Sequence, residues 1–216
     1  MKIGIIGTGV VGKTIGTKLV SLGHEVKMGS RTANNEKAAE WVKASGAKAS
    51  QGTFADAAMF GDIVLNCTKG EVSLDALKAA GAKNMEGKIL IDVSNPLDFS
   101  KGMPPTLIAS LCNTNSLGEE IQKNFPATKV VKALNTMNCN LMVNPTLVAG
   151  NHDLFICGND ITAKVAVANL LEQIGWKEII DMGDITSSRA LEMLLPIWIR
   201  LMVKYQTPNF NFKIVK

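Results

Sequence analysis

Along the chain, short unbroken apolar runs alternate with longer segments whose apolar positions recur every three to four residues. The runs fall at Lys2–Ile6, His24–Met28, Ile63–Cys67 and Ile89–Val93, and the periodic segments include Val10–Leu22 and Glu36–Ala44. Strands covered on both faces read as continuous Ile/Val/Leu stretches, as Ile63-Val64-Leu65 and Ile89-Leu90-Ile91 do. This is the βαβα rhythm of an α/β protein with a Rossmann-type, doubly wound parallel sheet. A further strand is expected at Lys129–Leu134, preceded by a long loop, Pro96–Ser110, that contains Met103-Pro104-Pro105. From His152 the pattern becomes strand (Leu154–Cys157), helix (Ile161–Ile174), strand (Glu178–Asp181) and a long apolar helix from Ser187 to Tyr205. The chain thus divides into a large unit, residues 1–150, and a small C-terminal α/β extension, residues 151–216. Ser187 or Ser188 is expected to cap the last helix and Pro196 to kink or break it. Its apolar stripe, Leu191, Leu194, Leu195, Trp198, Leu201 and Met202, fits core packing, with a dimer contact or a cleft wall as alternatives.

The most informative motif is Gly7-Thr8-Gly9-Val10-Val11-Gly12, placed between the first strand and the first helix. In G-x-G-x-x-G the first glycine permits a tight turn, the second admits a pyrophosphate to the backbone, and the third lets helix and strand pack closely. The helix N-terminus then offers unpaired N–H groups and the positive end of its dipole to phosphate. Residues 1–150 are therefore read as a dinucleotide-binding domain. At the end of the second strand, where a carboxylate would hold the ribose of NAD, the chain reads Gly29-Ser30-Arg31. Arg31 can meet a 2′-phosphate through charge-assisted bonds and Ser30 can donate a hydroxyl, so NADP(H) is favoured. Thr32, Asn34 and Lys37 are additional donors. Ligands in such sheets lie beyond the carboxyl ends of the strands, which nominates Cys67-Thr68-Lys69 and Ser94-Asn95-Pro96 as further cofactor walls.

Composition narrows the class without changing it. The 216 residues are 46% hydrophobic, enough to bury a core, and 23 basic against 19 acidic residues leave a net charge of +4 with no basic block, which argues against nucleic acid as partner. The apolar stretch from Ala190 to Val203 is interrupted by Glu192 and Arg200 and is shorter than the roughly 20 residues a membrane span needs. Cys67, Cys112, Cys139 and Cys157 form no C-x-x-C pair and are read as free thiols, which suits a cytoplasmic protein.

The run from Ile5 to Gly12, then Leu22-Gly23-His24-Glu25-Val26 and Gly29-Ser30-Arg31, resembles the NADP-dependent oxidoreductases of the deazaflavin coenzyme F420 family. Lys132-Ala133-Leu134-Asn135-Thr136-Met137 is similar to that family's strand and turn beside the nicotinamide, and the likeness continues through Cys157-Gly158-Asn159-Asp160, Asp181–Ile185 and Ser188-Arg189. It implies a homodimeric enzyme that passes hydride between NADPH and a deazaflavin stacked in a cleft between the two units, with Ala133 and Asn135 among the cofactor contacts. The soluble domain of six-transmembrane metalloreductases is also similar, so a flavin is an alternative acceptor.

Hydride transfer between stacked rings needs proximity and orientation more than an acid–base dyad. Asn135 and Thr136 follow the strand expected at Lys129–Leu134, at its carboxyl end, where an amide or a backbone N–H can hold the nicotinamide carboxamide and Met137 can flank the acceptor ring; a plain turn is the alternative. His24 and His152 are expected to be structural, and Cys139 has no base nearby. Tyr205 lacks the lysine four residues on that short-chain dehydrogenases use. Ser187, Ser188 and Arg189 are candidates for the cleft lining. Two other functions stay open: reduction of a small imine, ketone or dicarbonyl under the Pro96–Ser110 loop, and a non-catalytic NADPH sensor.

Overall fold

The computed structural model describes all 216 residues. Its elements are β1 (Lys2–Ile6), α1 (Val10–Ser21), β2 (Glu25–Ser30), α2 (Glu36–Ser45), β3 (Ala49–Thr53), α3 (Phe54–Phe60), β4 (Ile63–Asn66), α4 (Gly70–Ala80), α5 (Ala82–Met85), β5 (Ile89–Asp92), β6 (Leu97–Asp98), β7 (Thr106–Leu107), α6 (Leu117–Asn124), β8 (Lys129–Ala133), α7 (Cys139–Val143), β9 (Asp153–Gly158), α8 (Ile161–Ile174), β10 (Glu178–Asp181) and α9 (Ser188–Tyr205).

Eight strands form one sheet in the order β10-β9-β8-β5-β4-β1-β2-β3. All neighbours are parallel except β8 and β9, so the expected Rossmann-type sheet is present with one antiparallel step. The strands after residue 151 extend this same sheet. Alternate side chains feed two cores: Ile3, Ile5, Ile63, Leu65, Ile91 and Val131 face α1, α2, α7 and α8, while Ile6, Val64, Leu90 and Val130 face α4 and α6. Burial on both faces is why these strands read as unbroken apolar runs.

Three local expectations are corrected. The stretch Pro96–Ser110 is not a bare loop, because β6 and β7 pair as a short antiparallel ribbon. The last helix runs through Pro196 without a break; Leu191, Leu195 and Ile199 are buried on its inner side, and that packing offsets the roughly 3 kcal/mol of a mid-helix proline. No serine side chain caps this helix: the Ser187 hydroxyl donates to the Met182 carbonyl at 2.6 Å, and Ser188 is buried beside Cys157. The stripe facing inward joins Phe155, Cys157 and Leu191 in a small cluster against Ile180, Leu194 and Phe212.

The C-terminal tail is tied to the start of β9. Asp153 donates its N–H to the Phe212 carbonyl at 2.9 Å, and its carboxylate accepts from the Ile214 N–H at 2.6 Å and the Lys213 ammonium at 2.7 Å. Burial alone would raise the Asp153 carboxyl, but the Ile214 N–H and the Lys213 charge outweigh it and hold the group below the usual carboxylate value. This tether is fully present above the ordinary carboxylate range, near pH 4, and is lost as pH falls through the lower folded value. Asp153→Asn at neutral pH is therefore expected to speed chymotryptic cleavage at Phe210 and Phe212; an unchanged cleavage rate would show that the tail is held by other contacts.

Candidate functional site

The glycine turn has the geometry that a dinucleotide pyrophosphate needs. Gly7 has φ +119°, and a Cβ there would stand 2.8 Å from the Cys67 carbonyl oxygen, so neither the conformation nor the space admits a side chain. A Cβ at Gly12 would lie 2.5 Å from the Gly7 oxygen, which is the close helix–strand packing expected of the third glycine. At Gly9, by contrast, a Cβ would meet nothing within 4 Å. Gly9 is also the N-cap of α1, no side chain caps that helix, and Val10 is 72% exposed. The first N–H groups of α1 thus open onto free space beside a bare backbone, and the residues present, Thr8 through Gly12, fit a pyrophosphate.

Ser30 ends β2 and Arg31 follows it, as expected. Ser30 is buried and its hydroxyl donates to the Thr32 carbonyl, so it shapes the turn that presents Arg31. Arg31, Thr32, Asn34 and Lys37 are exposed, and none of the ion pairs of the molecule engages Arg31 or Lys37. Asn35 caps α2 through the Ala38 N–H at 3.1 Å, which leaves Asn34 free. Two cations and an amide at one strand end suit a phosphomonoester.

A cavity of about 240 Å³ joins the remaining predicted walls: Val11 of the glycine turn, Cys67, Thr68 and Lys69 after β4, and Ser94 and Asn95 after β5. A larger groove of about 650 Å³ lies elsewhere, between Phe155, Ile180, Leu194 and Phe212. Its lining, mostly hydrophobic with Asp153, Glu178 and Lys213 among it, shares no residue with the glycine turn. Gly70 seals the small cavity's floor, since a Cβ there would overlap the Asn95 carbonyl; Pro96 is buried beside it. The Thr68 hydroxyl donates to Asn66 Oδ1 at 2.7 Å and is thus committed inward. Burial pushes the Cys67 thiol up, so it lines the wall as a neutral group.

Asn135 reaches the same place from β8. Leu134, buried and non-glycine, has φ +65°, a left-handed conformation that costs about 1–2 kcal/mol and bends the chain after Ala133 across the strand end. Asn135 Nδ2 donates to Asn95 Oδ1 at 2.9 Å and to the Leu191 carbonyl at 3.1 Å, while Asn95 Nδ2 donates to the Asn135 carbonyl at 2.9 Å. Asn135 Oδ1 is buried with no hydrogen-bond partner. Ala133, Thr136 and Met137 are also buried, and Met137 packs in the large core with Leu134 and Leu141. Of the expected trio, Asn135 adjoins the cavity through Asn95, whereas Met137 is placed as a core residue and not as a flank of an open cleft. Arg189 pairs with Glu119, Nε to Oε2 at 2.8 Å, so it braces α6 against α9. His152 is held by the Pro145 carbonyl and Asn211, remote from the cavity.

Sequence reasoning missed a charge cluster directly beneath the two asparagines. Asp92 and Lys132 are register partners at the ends of β5 and β8, and Lys132 Nζ donates to Asp92 Oδ2 at 2.8 Å, to Glu192 Oε1 at 2.7 Å and to the Ser94 carbonyl at 2.6 Å. All three side chains are at most 1% exposed. Burial by itself would lower the Lys132 ammonium, but Asp92 and Glu192 more than compensate and hold it up, in its charged form. Burial raises the Glu192 carboxyl, and the Lys132 charge offsets part of that. Lysine and aspartate in adjacent strands ending in a βαβ fold were a visible hint; Glu192, on a helix 60 residues later, was not.

Residues 2–96 match the family described as "NADP oxidoreductase coenzyme F420-dependent". An F420-dependent NADP reductase of Methanocaldococcus jannaschii is 30% identical over 99% of this chain and 98% of its own length. Metalloreductase STEAP3 of Rattus norvegicus is 32% identical over 91% of this chain, which spans 38% of that protein. A crystal structure from Arthrobacter sp. FB24, ascribed to an F420-dependent NADP reductase, superposes with a TM-score of 0.94 at 50% identity over the full length of both chains. An imine reductase of Streptomyces aurantiacus, at 17% identity and TM-score 0.69, shares the fold alone.

Replacing Arg31 by Ala is expected to weaken NADPH binding by about 1.5–3 kcal/mol, the worth of a charged hydrogen bond to phosphate, and to leave NADH binding nearly unchanged. Titration of both cofactors into wild type and variant checks this; equal loss for the two would make Arg31 a structural arginine.

Proposed function

Because the chain belongs to the coenzyme F420-dependent NADP oxidoreductase family, we propose that it moves hydride between NADPH and a deazaflavin or flavin-like acceptor, and that it does so in the cytoplasm. The observation that carries this reading is the convergence of the glycine turn, the ends of β4 and β5, and the Asn95–Asn135 pair on one cavity. No helix is long and apolar enough to cross a membrane, and the four cysteines are free, which supports a reducing compartment.

When bound, NADPH supplies the hydride, two electrons and one proton leaving its nicotinamide ring, and the acceptor ring takes the hydride together with a proton from solvent. The residues of this chain bind and orient. Arg31, Lys37 and Asn34 take the 2′-phosphate; Gly9, Val10 and Val11 take the pyrophosphate on the helix N-terminus; Thr68, Lys69 and Asn95 border the nicotinamide half. Asn135 Oδ1, an acceptor left without a donor at a cost of about 1–3 kcal/mol, suits the carboxamide N–H. Residues 151–216 are read as the acceptor side of the cleft. A homodimer belongs to the same proposal, with Met193 and Ile197 on the outward face of α9 as the contact.

The test is anaerobic stopped-flow oxidation of NADPH, with NADH as control, against the deazaflavin, FMN, FAD and small carbonyls. Rapid oxidation by a ring acceptor is the expected result. Turnover of a carbonyl without added flavin would overturn the acceptor class, and tight NADPH binding with no oxidation by any of them would favour a sensor.

A further inference from the structure

The buried cluster beneath the cavity carries a net negative charge, and its charge count follows from its hydrogen bonds. Glu192 Oε1 accepts from Lys132 Nζ and from the Gly118 N–H at 3.0 Å, and Oε2 accepts from the Leu117 N–H at 2.9 Å. A protonated carboxyl would need an acceptor for its own hydrogen, and donors alone face both oxygens. Asp92 Oδ1 accepts from Asn66 Nδ2 at 2.8 Å, from the Ser94 hydroxyl at 2.6 Å and from the Ser94 N–H at 3.2 Å. The Ser94 hydroxyl itself accepts from Asn66 Nδ2 at 3.3 Å, so its proton is turned toward Asp92. Two carboxylates and one ammonium leave one unit of negative charge in a volume closed to water, part of which the first turn of α6 offsets through its N–H groups.

Asn95 lies three residues beyond Asp92 and Asn135 three beyond Lys132, so these amides are no more than about 11 Å of chain from the charges. We infer that the Asp92–Lys132–Glu192 cluster tunes the cofactor's redox state: its net negative charge favours the cationic, oxidised nicotinamide over the neutral, reduced one and so makes bound NADPH a stronger hydride donor. The inference rests on the proposed placement of the nicotinamide at the Asn95–Asn135 pair. At that separation, with an effective dielectric constant of about 20, one charge changes the ratio of NADP⁺ to NADPH affinity by about tenfold. Asp92, Lys132 and Glu192 are thus positioning residues that touch no substrate, acting through the field they set.

The experiment measures, by calorimetric titration, the affinities of NADP⁺, NADPH and 2′,5′-ADP for wild type and for Glu192→Gln, Asp92→Asn, Glu192→Asp and Asn135→Ala. Neutralising either carboxylate is expected to weaken NADP⁺ about tenfold relative to NADPH, while Glu192→Asp, which keeps the charge, retains the wild-type ratio. Binding of 2′,5′-ADP, which lacks the nicotinamide, stays constant and reports an intact fold, and the two neutralised variants serve as independent readings should one of them fail to fold. Equal weakening of NADP⁺ and NADPH, or an unchanged ratio in a neutralised variant that still binds 2′,5′-ADP, would overturn the inference and leave the cluster as a structural brace. If instead Asn135→Ala alters neither NADP⁺ nor NADPH binding, the nicotinamide lies elsewhere and the underlying placement fails.

Discussion

A lysine ammonium with no water around it must be matched by negative charge at once, and in this protein that requirement draws together three distant parts of the chain. Lys132 enters from the end of β8, Asp92 from the end of β5, and Glu192 from the second turn of α9, which also holds the first N–H groups of α6. Taking such groups out of water costs several kcal/mol per ion, and removing one partner strands the others. The last helix is therefore bound to the carboxyl edge of the sheet by a constraint stronger than its apolar stripe alone provides. What the brace supports is the layer above it: the Ser94 carbonyl, the reciprocal Asn95–Asn135 bonds and the bond from Asn135 to the Leu191 carbonyl.

The remaining parts of the site are backbone features. The turn at Gly7, the open face at Gly9 and the left-handed residue at Leu134 set where main-chain groups point, and side chains do little more than line the result. A site made this way is suited to a large, rigid, phosphate-bearing ligand, because N–H groups at a helix terminus need no rotamer search to meet it. Arg31 is the contrast: an exposed side chain at the rim, where, on the proposed reading, a charge would select between two cofactors that differ by one phosphate.

The glycine turn and the end of β2 were legible in the sequence because both are local. The glycine spacing sits on six consecutive residues after an apolar run, and Ser30-Arg31 stands directly at the end of the second strand. The third strand was not legible, since Ala49-Ser50-Gln51-Gly52-Thr53 lies at the sheet edge and carries none of the Ile/Val/Leu signature that double-sided burial demands. Pro196 does not break the helix because its backbone cost is a local quantity, while the packing of Leu195 and Ile199 that offsets it is not. Met137 misled for a similar reason: its place in the sequence is beside the cavity, and its side chain turns into the core. The charge cluster was invisible because aspartate at a strand end and glutamate in a helix are each ordinary alone, and only the sheet order brings them to one lysine.

The contact between Gly70 and the Asn95 carbonyl has a consequence for how the pocket can vary. The peptide planes that follow β4 and β5 touch with no side chain between them, so the width of the cleft at that point is a property of strand spacing and is the same whatever residues decorate the rim. Substitution elsewhere can recolour the walls, changing charge or polarity, but it cannot pry them apart. Diversification from this scaffold toward bulkier guests therefore has to act on the rim formed by Leu97 and Phe99, while the gap between the ends of β4 and β5 stays one of fixed gauge.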